Sequence, residues 1–154
     1  MRKTNKTTEE IVKDMLSKDS YKIWEASCHI CSLSQNHNRV IELLPYKDQM
    51  ISATKGIALG GALGPNIRFL NKAFDIISFH ENGDYCPCCL LSEDSNPIHL
   101  IDDGYFTLVD TIYLKDSHYI DYYLVSCHRC HTVYKVEQRE YHYTWWNWEM
   151  VDKE

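Results

Sequence analysis

The pattern of hydrophobic and polar positions changes near residue 83. Before that point apolar residues recur three or four positions apart, as in residues 11–16, which is the spacing of an amphipathic helix. After it, turn residues separate segments rich in Tyr, Thr, Val, Ile and Trp, which favour strands. Those segments are 104–114, 118–127, 131–138 and 140–151. The pattern predicts an α+β chain, with a helical region over 1–83 and an antiparallel β meander over 84–154, joined in one compact unit.

Capping and breaking residues divide the helical region. Thr7 or Thr8 is suited to begin the first helix, because a side-chain oxygen at this position can accept from a free backbone N–H. Pro45 predicts the end of a short helix, since proline removes a donor and crowds the preceding turn. Gly83 predicts the end of the last helix.

Two cysteine turns mark the second half. Cys86 and Cys89 form one Cys-x-x-Cys pair, and Cys127 and Cys130 form the other. Each pair lies where a strand is predicted to begin or end, so a meander can bring all four sulfurs together. Four thiolates complete a tetrahedral Zn²⁺ site with no open position, which predicts structural rather than catalytic zinc.

The ligand assignment has alternatives. Cys88 can replace Cys89, and His128 or His131 can replace any one of the predicted thiols. The two turns can also be free of metal. A thioredoxin-like redox pair fits less well, because no βαβ pattern surrounds either turn.

Charge is distributed unevenly along the 154 residues, whose formal net charge is −6. Residues 1–83 carry 11 basic and 9 acidic residues, a net of +2, whereas residues 84–154 carry 5 and 13, a net of −8. The acidic half is poorly suited to a phosphate backbone. It favours a basic protein partner, or it simply keeps a surface solvated.

Neither a membrane span nor a signal peptide is recognisable. No apolar run reaches about 18 residues, and the N-terminal stretch has no hydrophobic segment behind its basic residues. We therefore expect a cytoplasmic protein with no membrane association. In a reducing compartment the seven cysteines favour metal or free thiols over disulfides.

Aromatic residues are concentrated in the last predicted strand, which has rings on both faces. One face is either buried or exposed to a partner, and Tyr and Trp are common at binding hot spots. Carboxylates earlier in this half would complete such a surface. The predicted partner-binding residues are Asp102, Asp103, Asp121, Tyr141, Tyr143, Trp145, Trp146 and Trp148.

No catalytic signature accompanies these features. Aspartates and histidines are scattered without the spacing of a nucleophile elbow or a metalloprotease helix. The sequence predicts a protein that is not an enzyme.

Three resemblances extend this interpretation. The segment from Asp14 to Met50 looks like a HEAT-type helical hairpin, and residues 84–137 resemble a zinc ribbon. A small chain with HEAT-like helices, a cysteine-turn sheet and an acidic, aromatic end resembles bacterial toxin-neutralising immunity proteins. That resemblance implies an inhibitor that binds a basic toxin, such as a nuclease. The alternative is a zinc-ribbon protein that binds nucleic acid or has a regulatory role.

Overall fold

The computed structural model describes residues 5–62 and 64–151 and confirms the α+β order. The α-helices are α1 (Thr8–Met15), α2 (Ser20–Ser32), α3 (His37–Ile41), α4 (Lys47–Thr54), α5 (Ile67–Asn82) and α6 (Pro97–Asp102). The strands are β1 (Phe106–Tyr113), β2 (Ile120–Cys127), β3 (Val133–Glu140) and β4 (Thr144–Met150). Short 3₁₀ helices cover Leu44–Tyr46 and Pro87–Leu90. The chain divides into two compact units between Pro87 and Cys88.

The helix ends follow local chemistry. Thr7 is the N-cap of α1, where its hydroxyl accepts from the backbone N–H of Glu10, whose carboxylate in turn accepts from the N–H of Thr7. Asp19 caps α2 by accepting from the N–H of Lys22 at 3.0 Å. Gly83 ends α5 with a left-handed φ of 67°.

The core of the helical unit lies among α1, α2 and α5, with contributions from α3 and α4. α2 packs against both α1 and α5. Their inward side chains are nearly all excluded from solvent, as the helical spacing predicts. The largest fully buried side chains of this unit are Ile11, Met15, Ile23, Ile30, Val40, Leu43, Met50, Ile76 and Ile77. No helix of the described residues is long and apolar enough to cross a membrane.

The second unit contains an antiparallel meander in the order β1-β2-β3-β4. Residues paired across neighbouring strands share a face, so the pair Val125 and Tyr134 and the pair Val136 and Trp148 lie on one side of the sheet. That side is the interior of the unit, because Val125 and Val136 are fully buried and Tyr134 is 7% exposed.

Chain preceding β1 contributes to this interior. The backbone N–H of Trp146 donates to the carbonyl of Glu93 at 2.9 Å, and the indole N–H of Trp148 donates to the carbonyl of Ser95 at 2.9 Å. The first of these bonds occupies a backbone N–H on the outer edge of β4, so that this N–H is not available to pair with a strand of another chain. α6 packs against β1 and was not predicted from the sequence, although Asn96 caps it and Pro97 occupies its first turn.

Candidate metal centre

The first cysteine turn is built on a 3₁₀ helix. Cys86 immediately precedes this helix, and Cys88 and Cys89 lie within it. Successive residues of a 3₁₀ helix are rotated by about 120°, so neighbouring side chains point in different directions. Cys88 points inward and is 4% exposed, whereas Cys89 is exposed.

The second turn connects β2 to β3. Cys127 is the last residue of β2 and is 3% exposed. Its backbone N–H donates to the carbonyl of Thr132 at 2.9 Å, and its carbonyl accepts from the N–H of His131 at 2.9 Å. His131 adopts a left-handed φ of 63°, which returns the chain sharply into β3 after Cys130.

These two turns bring four sulfur atoms together. The Sγ atoms of Cys86, Cys88, Cys127 and Cys130 all lie within 4.8 Å of one another, and those of Cys88 and Cys130 are 3.5 Å apart. A tetrahedral site with Zn–S bonds of about 2.3 Å requires sulfurs about 3.8 Å apart. The four thiols therefore have the donor type and spacing to hold a metal ion such as zinc.

The identity of one sulfur corrects the sequence prediction. The predicted group was Cys86, Cys89, Cys127 and Cys130, but the structure gathers Cys88 in place of Cys89. Within the 3₁₀ helix Cys88 is directed inward, toward the other sulfurs, and Cys89 is directed toward solvent. Cys88 is the alternative that the sequence offered for Cys89, whereas the two histidine alternatives, His128 and His131, are exposed and do not belong to the cluster.

Two hydroxyl groups contact the cluster. The hydroxyl oxygen of Tyr134 lies 3.2 Å from Cys88 Sγ, and Cys130 Sγ–H donates to Thr132 Oγ1 at 3.1 Å. Burial, with the hydrogen bond to Cys88 as a further cause, raises the pKa of Tyr134 well above its usual value. Tyr134 therefore stays a neutral phenol that can donate to a thiolate.

The number of sulfurs in the cluster determines which positions around a bound ion would stay open. All four sulfurs would be used by a tetrahedral metal, so no position would remain for water or substrate. Four thiolates around Zn²⁺ carry a net charge of −2, which hydrogen-bond donors such as the Tyr134 hydroxyl would partly offset.

The predicted partner-binding residues separate into two groups. Trp146 is 9% exposed, and Trp148 makes edge contacts with Phe106 and Tyr134, each at 5.6 Å between ring centroids. Their face of β4 packs into the interior of the unit, where Trp146 is buried and Trp148 half-buried, and a role for these two in partner binding remains a prediction.

The remaining predicted residues are more accessible to solvent. Tyr141 is 78% exposed and Tyr143 is 38% exposed in the turn before β4. Trp145 is half-buried on the opposite face of that strand from Trp146. The three carboxylates are exposed: Asp102, Asp103 and Asp121.

A second exposed group lies at the turn between β1 and β2 and is not among the predicted residues. We define the hairpin tip as Tyr113, Leu114, Tyr119 and Ile120, which are 54%, 48%, 67% and 43% exposed. Tyr113 pairs with Ile120 across the hairpin, and the backbone N–H of Leu114 donates to the carbonyl of Tyr119 at 2.9 Å. The four residues therefore form two neighbouring cross-strand pairs at the turn. The signal was the break in apolar–polar alternation at Tyr113-Leu114 and Tyr119-Ile120.

Comparison with protein-family models, with curated proteins and with solved structures finds no significant match to this chain. The resemblances to HEAT repeats and to immunity proteins therefore remain predictions. What the molecule itself supports is a helical unit followed by a meander sheet with a four-cysteine cluster.

Proposed function

We propose that the protein is a non-enzymatic binding module in which structural zinc stabilises the sheet and the hairpin tip contacts a basic partner protein. The observation that carries the proposal is the exposure of the four hairpin-tip residues, two of them tyrosines. Exposed apolar residues gathered on one feature are typical of an interaction site, whereas single ones are ordinary.

Acidic residues around the tip indicate the chemistry of the partner. Asp116 lies in the turn and Asp121 follows Ile120, while Lys115 is the basic residue of the same turn. Asp102 and Asp103, exposed at the end of α6, add two further carboxylates to the same unit. Complementary charge steers association, so a basic protein is favoured over nucleic acid.

The resemblance to immunity proteins narrows this proposal. It favours a basic toxin, such as a nuclease, as the partner, which the protein would bind and neutralise. In this reading the metal centre holds the sheet in shape and takes no part in chemistry.

The binding test compares the hairpin tip with an unrelated exposed tyrosine. Wild-type protein is used to isolate a partner from extracts, and the affinity is then measured with both proteins purified. We expect a basic partner whose dissociation constant rises at least about 30-fold for Tyr119→Ala, which is the behaviour of a hot spot. Tyr21→Ala, an exposed tyrosine on α2 of the helical unit, is the matched control and should bind like wild type.

A charge variant and a growth assay complete the design. Replacing Asp116 and Asp121 together with lysine should weaken binding and reduce its dependence on salt. The partner expressed alone should stop growth, and wild-type protein, but not Tyr119→Ala, should restore it. Equal affinity of wild type and Tyr119→Ala, a preference for nucleic acid, or self-association through the tip would each contradict the proposal.

A further inference from the structure

We infer that Tyr134 is a positioning residue that selects Cys88, rather than its neighbour Cys89, as the fourth ligand of the metal centre. The inference rests on the metal site of the proposed function. It answers a question that the sequence raises, since two adjacent thiols follow Pro87 and either one could complete the set.

Geometry distinguishes the two thiols. Cys88 Sγ lies 3.5 Å from Cys130 Sγ and 3.2 Å from the hydroxyl oxygen of Tyr134. Cys89 is exposed and lies outside the four-sulfur cluster. Of the two, only Cys88 combines proximity to the other sulfurs with a buried hydroxyl beside it.

The hydroxyl of Tyr134 is held in place by its ring. Tyr134 is 7% exposed on β3, opposite Val125 of β2. Its ring packs against Phe106 at 6.2 Å and Trp148 at 5.6 Å between centroids. A donor fixed by packing loses little freedom when it binds, so its position favours one sulfur over the other.

The direction of the hydrogen bond follows from the chemistry of a bound thiolate. A metal-bound sulfur has lost its proton and can only accept, so the Tyr134 hydroxyl must donate. Thr132 is placed to do the same for Cys130, with its oxygen 3.1 Å from that sulfur. Donors to ligand sulfurs stabilise their charge, and losing such a partner typically weakens metal binding about 10–100-fold. Exposed Cys89 would receive such bonds from water instead.

The first test uses Tyr134→Phe, which removes the hydroxyl and keeps the ring. We expect Co²⁺ to bind about 10–100-fold more weakly, with altered thiolate-to-metal absorption bands. Tyr123→Phe is the matched control, because Tyr123 is a half-buried tyrosine of β2 paired with Val136. It should leave the affinity and the spectrum unchanged.

Alkylation of the zinc-loaded protein identifies the ligand directly. In wild type, iodoacetamide should label Cys89 and spare Cys88, whereas in Tyr134→Phe both should be labelled in part. Cys89→Ser should not change Co²⁺ affinity in wild type, but it should weaken it further in Tyr134→Phe.

The outcomes separate this inference from the proposed function. If wild type binds metal but Tyr134→Phe keeps wild-type affinity and still protects Cys88 alone, the role of Tyr134 is overturned while the metal site stands. If wild type binds neither zinc nor Co²⁺, the metal site and the inference both fall.

Discussion

Removing the metal should unfold the sheet unit while the helices persist. The second unit spans residues 88–154 and has a small hydrophobic interior. Its buried apolar residues are Cys88, Phe106, Val125, Cys127, Tyr134, Val136 and Trp146. Two of these, Cys88 and Cys127, belong to the four-cysteine cluster.

The size of the effect follows from this composition. A unit below about 70–80 residues rarely obtains more than about 3–5 kcal/mol from one core. Metal at 1,000 times its dissociation constant adds about 4.1 kcal/mol to the folded state. Chelation would therefore remove stabilisation as large as that of the core itself. It would also remove the metal from Cys88, which is buried beside the Tyr134 hydroxyl.

Tryptophan fluorescence can follow the sheet unit separately. Three of the four tryptophans lie in β4, and the remaining one is Trp24 in α2. In Trp24→Phe protein all emission thus reports on β4. We expect a shift to longer wavelength when a strong chelator is added, because Trp146 is 9% exposed before unfolding. The helical circular dichroism from α1–α5 should remain, and added zinc should restore the emission.

Substitution of single cysteines provides the control. Cys127→Ser should produce the chelated spectrum at every zinc concentration tested, whereas Cys89→Ser should behave like wild type. Unchanged emission after complete removal of the metal, with slow hydrogen exchange retained in β2 and β3, would show that the sheet unit folds without the metal.

Two smaller predictions concern local structure. Gly83→Ala should destabilise the helical unit by about 1 kcal/mol in urea unfolding followed by circular dichroism, because φ is +67° there; Gly64→Ala, with no positive φ and open space around it, should cost much less. The Glu137 carboxylate accepts hydrogen bonds from Lys135, Asn147 and Arg139. These bonds, the one from Lys135 most of all, hold the pKa of Glu137 below its usual value. Its stabilising effect should be present above about pH 4.5 and be lost as the pH falls through its lowered pKa, so the stability difference between wild type and Glu137→Gln should shrink on acidification.

The helices and strands were predictable because their signals are local. The capping residue Thr7, the terminating Gly83 and the helical apolar spacing each act within a few residues. The strand segments were likewise bounded by turn residues. α6 was missed because it is short, and its signal is limited to Asn96 and Pro97 beside a run of aspartates.

The choice among cysteines depends on distant parts of the chain. Spacing alone favoured Cys89, since Cys86 and Cys89 repeat the interval of the second turn. The side that faces the cluster is set by the 3₁₀ helix and by Tyr134, which is 46 positions after Cys88. The burial of β4 also depends on distant parts of the chain. Alternation places Trp145 and Trp146 on opposite faces of the strand, but it does not indicate that the face of Trp146 is the interior.

The positions of the cluster and the hairpin tip determine how metal and partner binding can be linked. Ile120 and Cys127 are the two ends of β2, and at about 3.3 Å per residue seven steps separate them by about 23 Å. A contact confined to the hairpin tip therefore would not touch the metal, and the metal would not contribute to that contact. Loss of partner binding on chelation would have to act through the folding of β1 and β2. For that reason Cys89→Ser should change neither property, whereas Cys127→Ser should abolish both.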